Sequence, residues 1–413
     1  MPSPMPTRLA RRGGVALLAA VAAVVVVFSS GPGALAGSPP RPDQAAGSAY
    51  LTGPARLIDG HYYRTFSRAA DFGLTLDGAL ALAATGDQDR ALRKIVAFLA
   101  RDGRDATGKT VSDWTGIGTR YASGGAIGKE ALLAEVVGAS PRDFGGRNLL
   151  AALAASVCPR AGAGGMARCP AAGSYAYASS VFDQALGVLA QLRAGPDRQA
   201  AAPVRYLESL RHSDGSFPSL IPGTDGDVDS TAIAVMALAL APGAAAAADV
   251  GSGLAWIASR QRPDGGFPGV GGESVNSTGL AIQALALRRL AYRARIAAAE
   301  KFLAREQNAD GGFRLAAGRG PASDLRASAQ AVSGAAAIPF GSLRRPLDRR
   351  AAGQTAAAGH PARGSGGWIV YLIVIAVVAM AAAVVTVMLR RRRRRKPVAA
   401  PVSRADPVGR PHR

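Results

Sequence analysis

A turn followed by a helix of small apolar residues recurs along this chain at a nearly fixed interval. Ser213-Asp-Gly-Ser-Phe217 precedes Asp227-Val-Asp-Ser-Thr-Ala-Ile-Ala-Val-Met-Ala-Leu-Ala-Leu240. Gln261-Arg-Pro-Asp-Gly-Gly-Phe267 precedes Asn276-Ser-Thr-Gly-Leu-Ala-Ile-Gln-Ala-Leu285, and Gln307-Asn-Ala-Asp-Gly-Gly-Phe313 precedes Asp324-Leu-Arg-Ala-Ser-Ala-Gln-Ala-Val332. The turn phenylalanines are 50 and 46 residues apart, and the helix-opening residues Asp229, Asn276 and Asp324 are 47 and 48 apart. A period in this range belongs to repeat architectures, whose units cannot bury their own apolar face and must stack.

Three more divergent units precede these. The first runs through Asp59-Gly-His-Tyr62 to a helix beginning near Phe72. The second spans Ala91 to Gly103, a long insertion, and Gly128 to Val136. The third runs from Leu149 through Gly173-Ser-Tyr175 to Val181-Leu189. In each unit the first helix is amphipathic, as in Ala299, Phe302 and Leu303 against Lys301, Arg305 and Glu306. The second is almost free of charge, and a helix apolar all round is buried on all sides. Second helices therefore form an inner ring and first helices an outer one. The alanine-rich composition suits such close packing, because alanine has the best intrinsic helix propensity.

Outside the repeats the ends differ in kind. Residues 1–36 read as a signal peptide, with Arg8, Arg11 and Arg12 before the apolar run Val15–Phe28 and Ala34-Leu-Ala36 as the cleavage site. Residues 37–47 read as a lead-in linker, 48–338 as the repeat domain and 339–367 as a Gly/Ala/Pro/Arg tether. Residues 368–389 carry no charge and are long enough to cross a bilayer. The basic tail 390–413 begins with Arg390–Lys396, which places it on the cytoplasmic side. This layout predicts a single-pass cell-membrane protein with its large domain outside. The formal charge of +21 is concentrated at the ends. Residues 37–367 hold 36 basic and 27 acidic residues, a surplus of nine that is no argument for nucleic acid. Cys158 and Cys169, in an exported chain, predict a disulfide.

The Gln-x-x-Asp-Gly-Gly-Phe turn resembles the repeat of squalene–hopene cyclases and protein prenyltransferase β subunits, with Phe267 and Phe313 where that repeat usually has Trp. The resemblance covers about residues 48–338. It implies an all-α fold, an α/α (α6/α6) toroid of about six helix hairpins. Val275-Asn-Ser-Thr-Gly-Leu-Ala-Ile-Gln283 looks closer to the transcobalamin-type corrinoid binders and their bacterial surface relatives, which share the toroid.

In the cyclases the initiating acid lies in Asp-x-Asp-Asp-Thr-Ala. Here the sequence is Asp227-Val-Asp229-Ser230-Thr231-Ala232, so the resemblance places Asp229 as general acid and Asp227 in support, with Ser230 in place of the third acid. The chemistry needs one carboxylic acid kept protonated by burial and by neighbouring charge. Asp229, Asn276 and Asp324 also open inner helices, where such residues cap free N–H groups. The prenyltransferases need zinc. His61 and His212 lie at turns, His360 and His412 in the tether and tail, and the cysteines are taken as paired, so no zinc site is expected.

In the toroid the inner helix N-termini gather at one mouth, with their partial positive charge and free donors. Ligand-binding candidates are Asp77, Asp183, Asp229, Asn276, Ser277 and Gln283, with Asp324 at the rim. Tyr121, Tyr175, Tyr177 and Trp114 are candidates to line the mouth or to cover a core edge. The incomplete acid motif, the lack of a zinc site and the exported layout favour a binder over an enzyme. The expected cargo is a small molecule, a corrinoid by the resemblance, bound for uptake alongside a membrane transporter or a second surface protein, with no required cofactor. The alternatives are a cyclase- or prenyltransferase-like enzyme acting on an isoprenoid, and a protein-interaction scaffold whose ring is filled by alanine. The scaffold reading predicts no accessible central cavity.

Overall fold

The computed structural model describes residues 40–347, except 66–67, 167, 196–197, 270–271 and 319. The expected signal peptide (1–36), transmembrane segment (368–389) and basic tail (390–413) lie outside the described residues. No helix among those described is long and apolar enough to cross a membrane. The described residues therefore give no support to the expectation of a single-pass, membrane-anchored protein.

Among the described residues thirteen α-helices follow one another: α1 (Gln44–Thr52), α2 (Phe72–Thr85), α3 (Asp89–Ala100), α4 (Val111–Thr115), α5 (Gly124–Val136), α6 (Leu149–Ala155), α7 (Val181–Arg193), α8 (Ala201–Ser209), α9 (Val228–Leu238), α10 (Ala244–Arg260), α11 (Val275–Leu285), α12 (Arg289–Glu306) and α13 (Leu325–Ala335). Helices α2, α5, α7, α9, α11 and α13 each pack against the next, and α13 packs back on α2, so the inner ring closes with six members. Helices α1, α3, α6, α8, α10 and α12 surround it. The short α4 lies in the insertion of the second unit. The α6/α6 expectation holds, helix by helix.

Glycine sets how closely the inner helices approach. A Cβ on Gly334 of α13 would sit 2.3 Å from the Gly279 Cα of α11, and one on Gly128 of α5 would sit 2.7 Å from the Gly187 Cα of α7. Backbones can cross this tightly only where neither residue has a side chain.

The recurring turn works as a joint between units. In the last three units the backbone N–H of Phe217, Phe267 and Phe313 donates to a hydroxyl in the following inner helix: Thr231 at 2.9 Å, Thr278 at 3.0 Å and Ser328 at 2.8 Å. Tyr63 does the same with Thr75 at 3.0 Å. The three phenylalanine rings are fully buried. Each such ring contributes roughly 2–3 kcal/mol by leaving water. The turn glycine then lies against the outer helix of the next unit. Gly311, at φ 84°, faces the Ala46 carbonyl of α1, so unit six closes onto unit one. Gln307 completes the seam, accepting from the Asp43 N–H at 2.7 Å and donating to the Asp43 carbonyl at 2.8 Å.

The chain beyond α13 corrects another expectation. The composition suggests a tether from residue 339, but residues 339–347 are packed. Phe340, Leu343 and Leu347 are buried. Arg193, at the end of α7, donates to the carbonyls of Phe340, Gly341 and Leu343 and pairs with Glu135 at 3.2 Å. The N–H groups of Arg345 and Leu347 donate to the carbonyls of Val136 and Val137 at the end of α5. Arg345 also pairs with Asp89 at 2.8 Å. This strap crosses the C-terminal ends of the inner helices.

Candidate functional site

The polar residues of the inner ring concentrate at its N-terminal mouth. The helix caps are not the residues the spacing points to. Asp227 caps α9, accepting from the Ser230 N–H at 2.8 Å. Ser274 caps α11 and Ser180 caps α7. Of the three expected caps only Asp324 serves, accepting from Ala327 N–H at 2.7 Å. Asn276 accepts a local bond from Ser274 at 3.2 Å.

With capping assigned to Asp227, the Asp229 carboxyl is left free. The residue is half-buried, but its Oδ1 is shielded from water and has no hydrogen-bond partner among the described residues. The Ser277 hydroxyl, from the neighbouring α11, hydrogen-bonds to the carboxyl. Loss of solvation, reinforced by the negative charge of Asp227, pushes Asp229 up to about 7, against the opposing pull of Ser277. Near neutral pH this group holds a proton for part of the time, as a general acid requires.

Across the ring, Asp77 of α2 pairs with Lys129 of α5 at 2.6 Å and lies 3.6 Å from the Arg326 guanidinium of α13. Arg326 also reaches Asp71, the cap of α2, at 2.8 Å. Asp183 is bonded locally to Ser180 at 2.7 Å; burial raises its pKa, opposed in part by that bond and by Lys129. Asp77 and Asp183 thus share one cation. Sequence reasoning misses Lys129 and Arg326. Lys129 stands at the sixth position of its helix, as Asp77 does, and it is the cation of an otherwise small-residue segment.

Gln283 belongs elsewhere. It donates to Ser333 and to the Ile338 carbonyl, tying α11 to the base of the strap. The candidate aromatics cover core edges. Tyr175 is fully buried between α5 and α7, Trp114 leans on Phe72, and Tyr121 packs on Tyr177. Cys158 and Cys169 form the expected disulfide.

One small cavity lies among the inner helices of the described residues. Asp77, Phe182, Leu280, Gln283, Gln330 and Phe340 line this cavity of about 10 Å³, room for about one water molecule.

Comparison with known proteins agrees with this architecture. Residues 182–323 match the model of the prenyltransferase alpha-alpha toroid domain. The drimenyl diphosphate synthase of Streptomyces showdoensis is 36% identical over 219 residues, 49% of this chain and 40% of that protein. The drimenyl diphosphate synthase of Streptantibioticus cattleyicolor is 35% identical over 178 residues, 38% of this chain and 32% of that protein. The chain therefore spans well under half the length of the curated relatives it matches. Among solved structures, the type II terpene cyclase MstE from Scytonema superposes with a TM-score of 0.53 at 21% identity, covering 71% of this chain and 96% of that one. A protein from Actinoplanes does so with a TM-score of 0.53 at 21% identity, covering 71% and 99%. These likenesses show the fold.

They also correct the expected cargo. The curated relatives are drimenyl diphosphate synthases, not corrinoid carriers, and the comparisons give no support to a corrinoid. The ring is an α/α toroid, and residues 182–323 of it carry the matched prenyltransferase alpha-alpha toroid domain.

Proposed function

We propose that this toroid is an acid-initiated isoprenoid cyclase with Asp229 as its proton donor. One observation carries the reading: a carboxyl freed from capping, with a shielded and unpartnered oxygen, raised to about 7 beside the charged cap Asp227. The relatives named drimenyl diphosphate synthase support the reaction class, and a linear isoprenoid is the matching substrate class. MstE supports the sufficiency of a single ring, since this one spans nearly all of that chain.

Asp229 would give its proton to an alkene carbon, leaving a tertiary carbocation at the adjacent carbon. The next double bond closes the ring by attacking that cation. Proton loss to water ends the sequence, and solvent reprotonates Asp229. The steps are redox-neutral and need no cofactor. Asp227 contributes by its charge, and Ser277 by orienting the carboxyl. Access runs through the mouth, past the hairpins that precede the inner helices. Two of these expose Leu220 and Leu315, apolar contacts for an isoprenoid chain.

The test is incubation of the purified protein with farnesyl diphosphate, geranylgeranyl diphosphate and squalene, with products read by mass spectrometry. Cyclised product that disappears in Asp229→Asn is the expected result. No product from any of these substrates would refute the reading. The small size of the cavity between Asp77, Phe182, Gln330 and Phe340, about 10 Å³, favours a second reading, a non-catalytic interaction scaffold. It predicts that Asp229→Asn leaves all measurable function unchanged.

A further inference from the structure

A cleft of about 610 Å³ opens on the outer wall, away from the axis, between the insertion of the second unit and α6. Its volume lies in the range of small-molecule sites. Ile117, Ala122, Ala152 and Ala155 give it an apolar floor, and Arg147 and Arg168 line it. Among the described residues no carboxylate lines it. Each of the two arginines has a buried Nε–H with no hydrogen-bond partner among the described residues. A buried donor left unpaired costs roughly 1–3 kcal/mol, more when it is charged. Those two Nε–H groups are closed to solvent, so it is the two arginines in the lining, with no carboxylate beside them there among the described residues, that give the cleft its positive charge.

The counter-charges lie behind the cleft. Arg147 pairs with Glu130 at 2.8 Å, lies 4.0 Å from Asp102 and donates to the Leu99 carbonyl. Glu130 is fully buried. Desolvation pushes it up to about 7 despite Arg147, so near neutral pH it offsets only part of the guanidinium charge. Arg168 is held firmly. It lies inside the Cys158–Cys169 loop, and its carbonyl accepts from the Tyr177 N–H at 2.8 Å. The disulfide thus does more than close a loop: it anchors the backbone beside Arg168, a cation of the cleft lining.

We propose that this cleft binds the phosphate head group of a small organic molecule between Arg147 and Arg168, with the apolar floor taking its organic part. Guanidinium groups suit this role because their planar N–H pairs match phosphate oxygens. The site is independent of Asp229 and of the cyclase reading.

The experiment is calorimetric titration of the full chain at neutral pH with inorganic phosphate and with geranyl phosphate. Binding of both, tighter for geranyl phosphate, is expected. Arg168→Gln should weaken both by about tenfold, the worth of one charge-assisted hydrogen bond. Arg168→Lys, which keeps the charge without the planar fork, should fall between. Arg168 is only half-buried, so both variants should fold, and circular dichroism checks this. Absence of binding by the parent at millimolar probe overturns the proposal. So does binding that Arg168→Gln leaves unchanged. Binding of inorganic phosphate alone, with geranyl phosphate no tighter, overturns the assignment of the floor and leaves an adventitious ion only.

Discussion

Replacing Asp229 by asparagine tests the electrostatics of the mouth without reference to any substrate. The folded pKa is about 7 and the ordinary value is 3.8. Between these limits the native state keeps a proton that the unfolded chain has lost. Raising the pH through that window therefore weakens the parent protein. The slope is about 1.4 kcal/mol per pH unit. From pH 5 to pH 7 the parent should lose about 3 kcal/mol, as a ceiling, relative to a variant that cannot ionise there. The substituted amide would carry extra N–H donors in a site with few acceptors, a roughly constant cost of 1–3 kcal/mol. That cost shifts the variant's curve but does not tilt it. Glu130 and Glu135 also titrate near 7, raised by burial against their arginine partners. They do so in both proteins and cancel in the difference. The assay is urea unfolding of parent and Asp229→Asn at half-unit steps from pH 5 to pH 8. The expected result is a variant that gains on the parent steadily up to about pH 7 and then runs parallel. Curves parallel throughout would show that Asp229 is an ordinary solvated carboxylate, and the acid assignment would fall with it.

Other perturbations reach other parts of the ring. Arg193→Met removes the bonds to three strap carbonyls and leaves Glu135 unpaired, so it should cost about 3–5 kcal/mol and expose residues 339–347 to faster amide exchange. Gly334→Ala puts a methyl group 2.3 Å from the Gly279 Cα. It should destabilise the domain by about 1–3 kcal/mol, visible as a melting point several degrees lower. Opening the disulfide with Cys158→Ala and Cys169→Ala together releases a loop of sequence separation 11. The expected loss is about 3 kcal/mol by chain entropy, together with weaker binding of phosphate in the outer cleft.

The ring is legible in the sequence because its information is local and repeated. Asp-Gly turns, their aromatic residue and the charge-free helices appear in sequence order, and six of them leave few arrangements. The mouth is harder. Capping by Asp227, rather than Asp229, is a shift of two residues that exchanges a structural carboxylate for a free one, and periodicity tolerates either register. Lys129 and Asp77 share an offset in their helices, yet their pairing depends on α2 and α5 being neighbours. That follows only from ring closure. The strap reads as a tether in the sequence because its anchors are backbone carbonyls, which every sequence supplies. The spacing of Phe340, Leu343 and Leu347 is its one local trace. The cleft with Arg147 and Arg168 unites two distant segments, and neither arginine stands out in a chain rich in them.

The strap and the seam together bear on how the chain can be made. The seam joins residues near 41–56 to residues near 300–323, and the strap joins 340–347 to 86–93 and 136–137. On the ribosome the first units must wait, with an unclosed flank, for almost the whole domain to emerge. Contacts this distant in sequence make for slow closure, and partly assembled arcs expose apolar flanks. A nascent chain stalled with residue 335 clear of the exit tunnel should therefore still be cut readily by protease. One stalled with residue 347 clear should resist, because residues 336–347 act as the clasp that ends the vulnerable interval of synthesis.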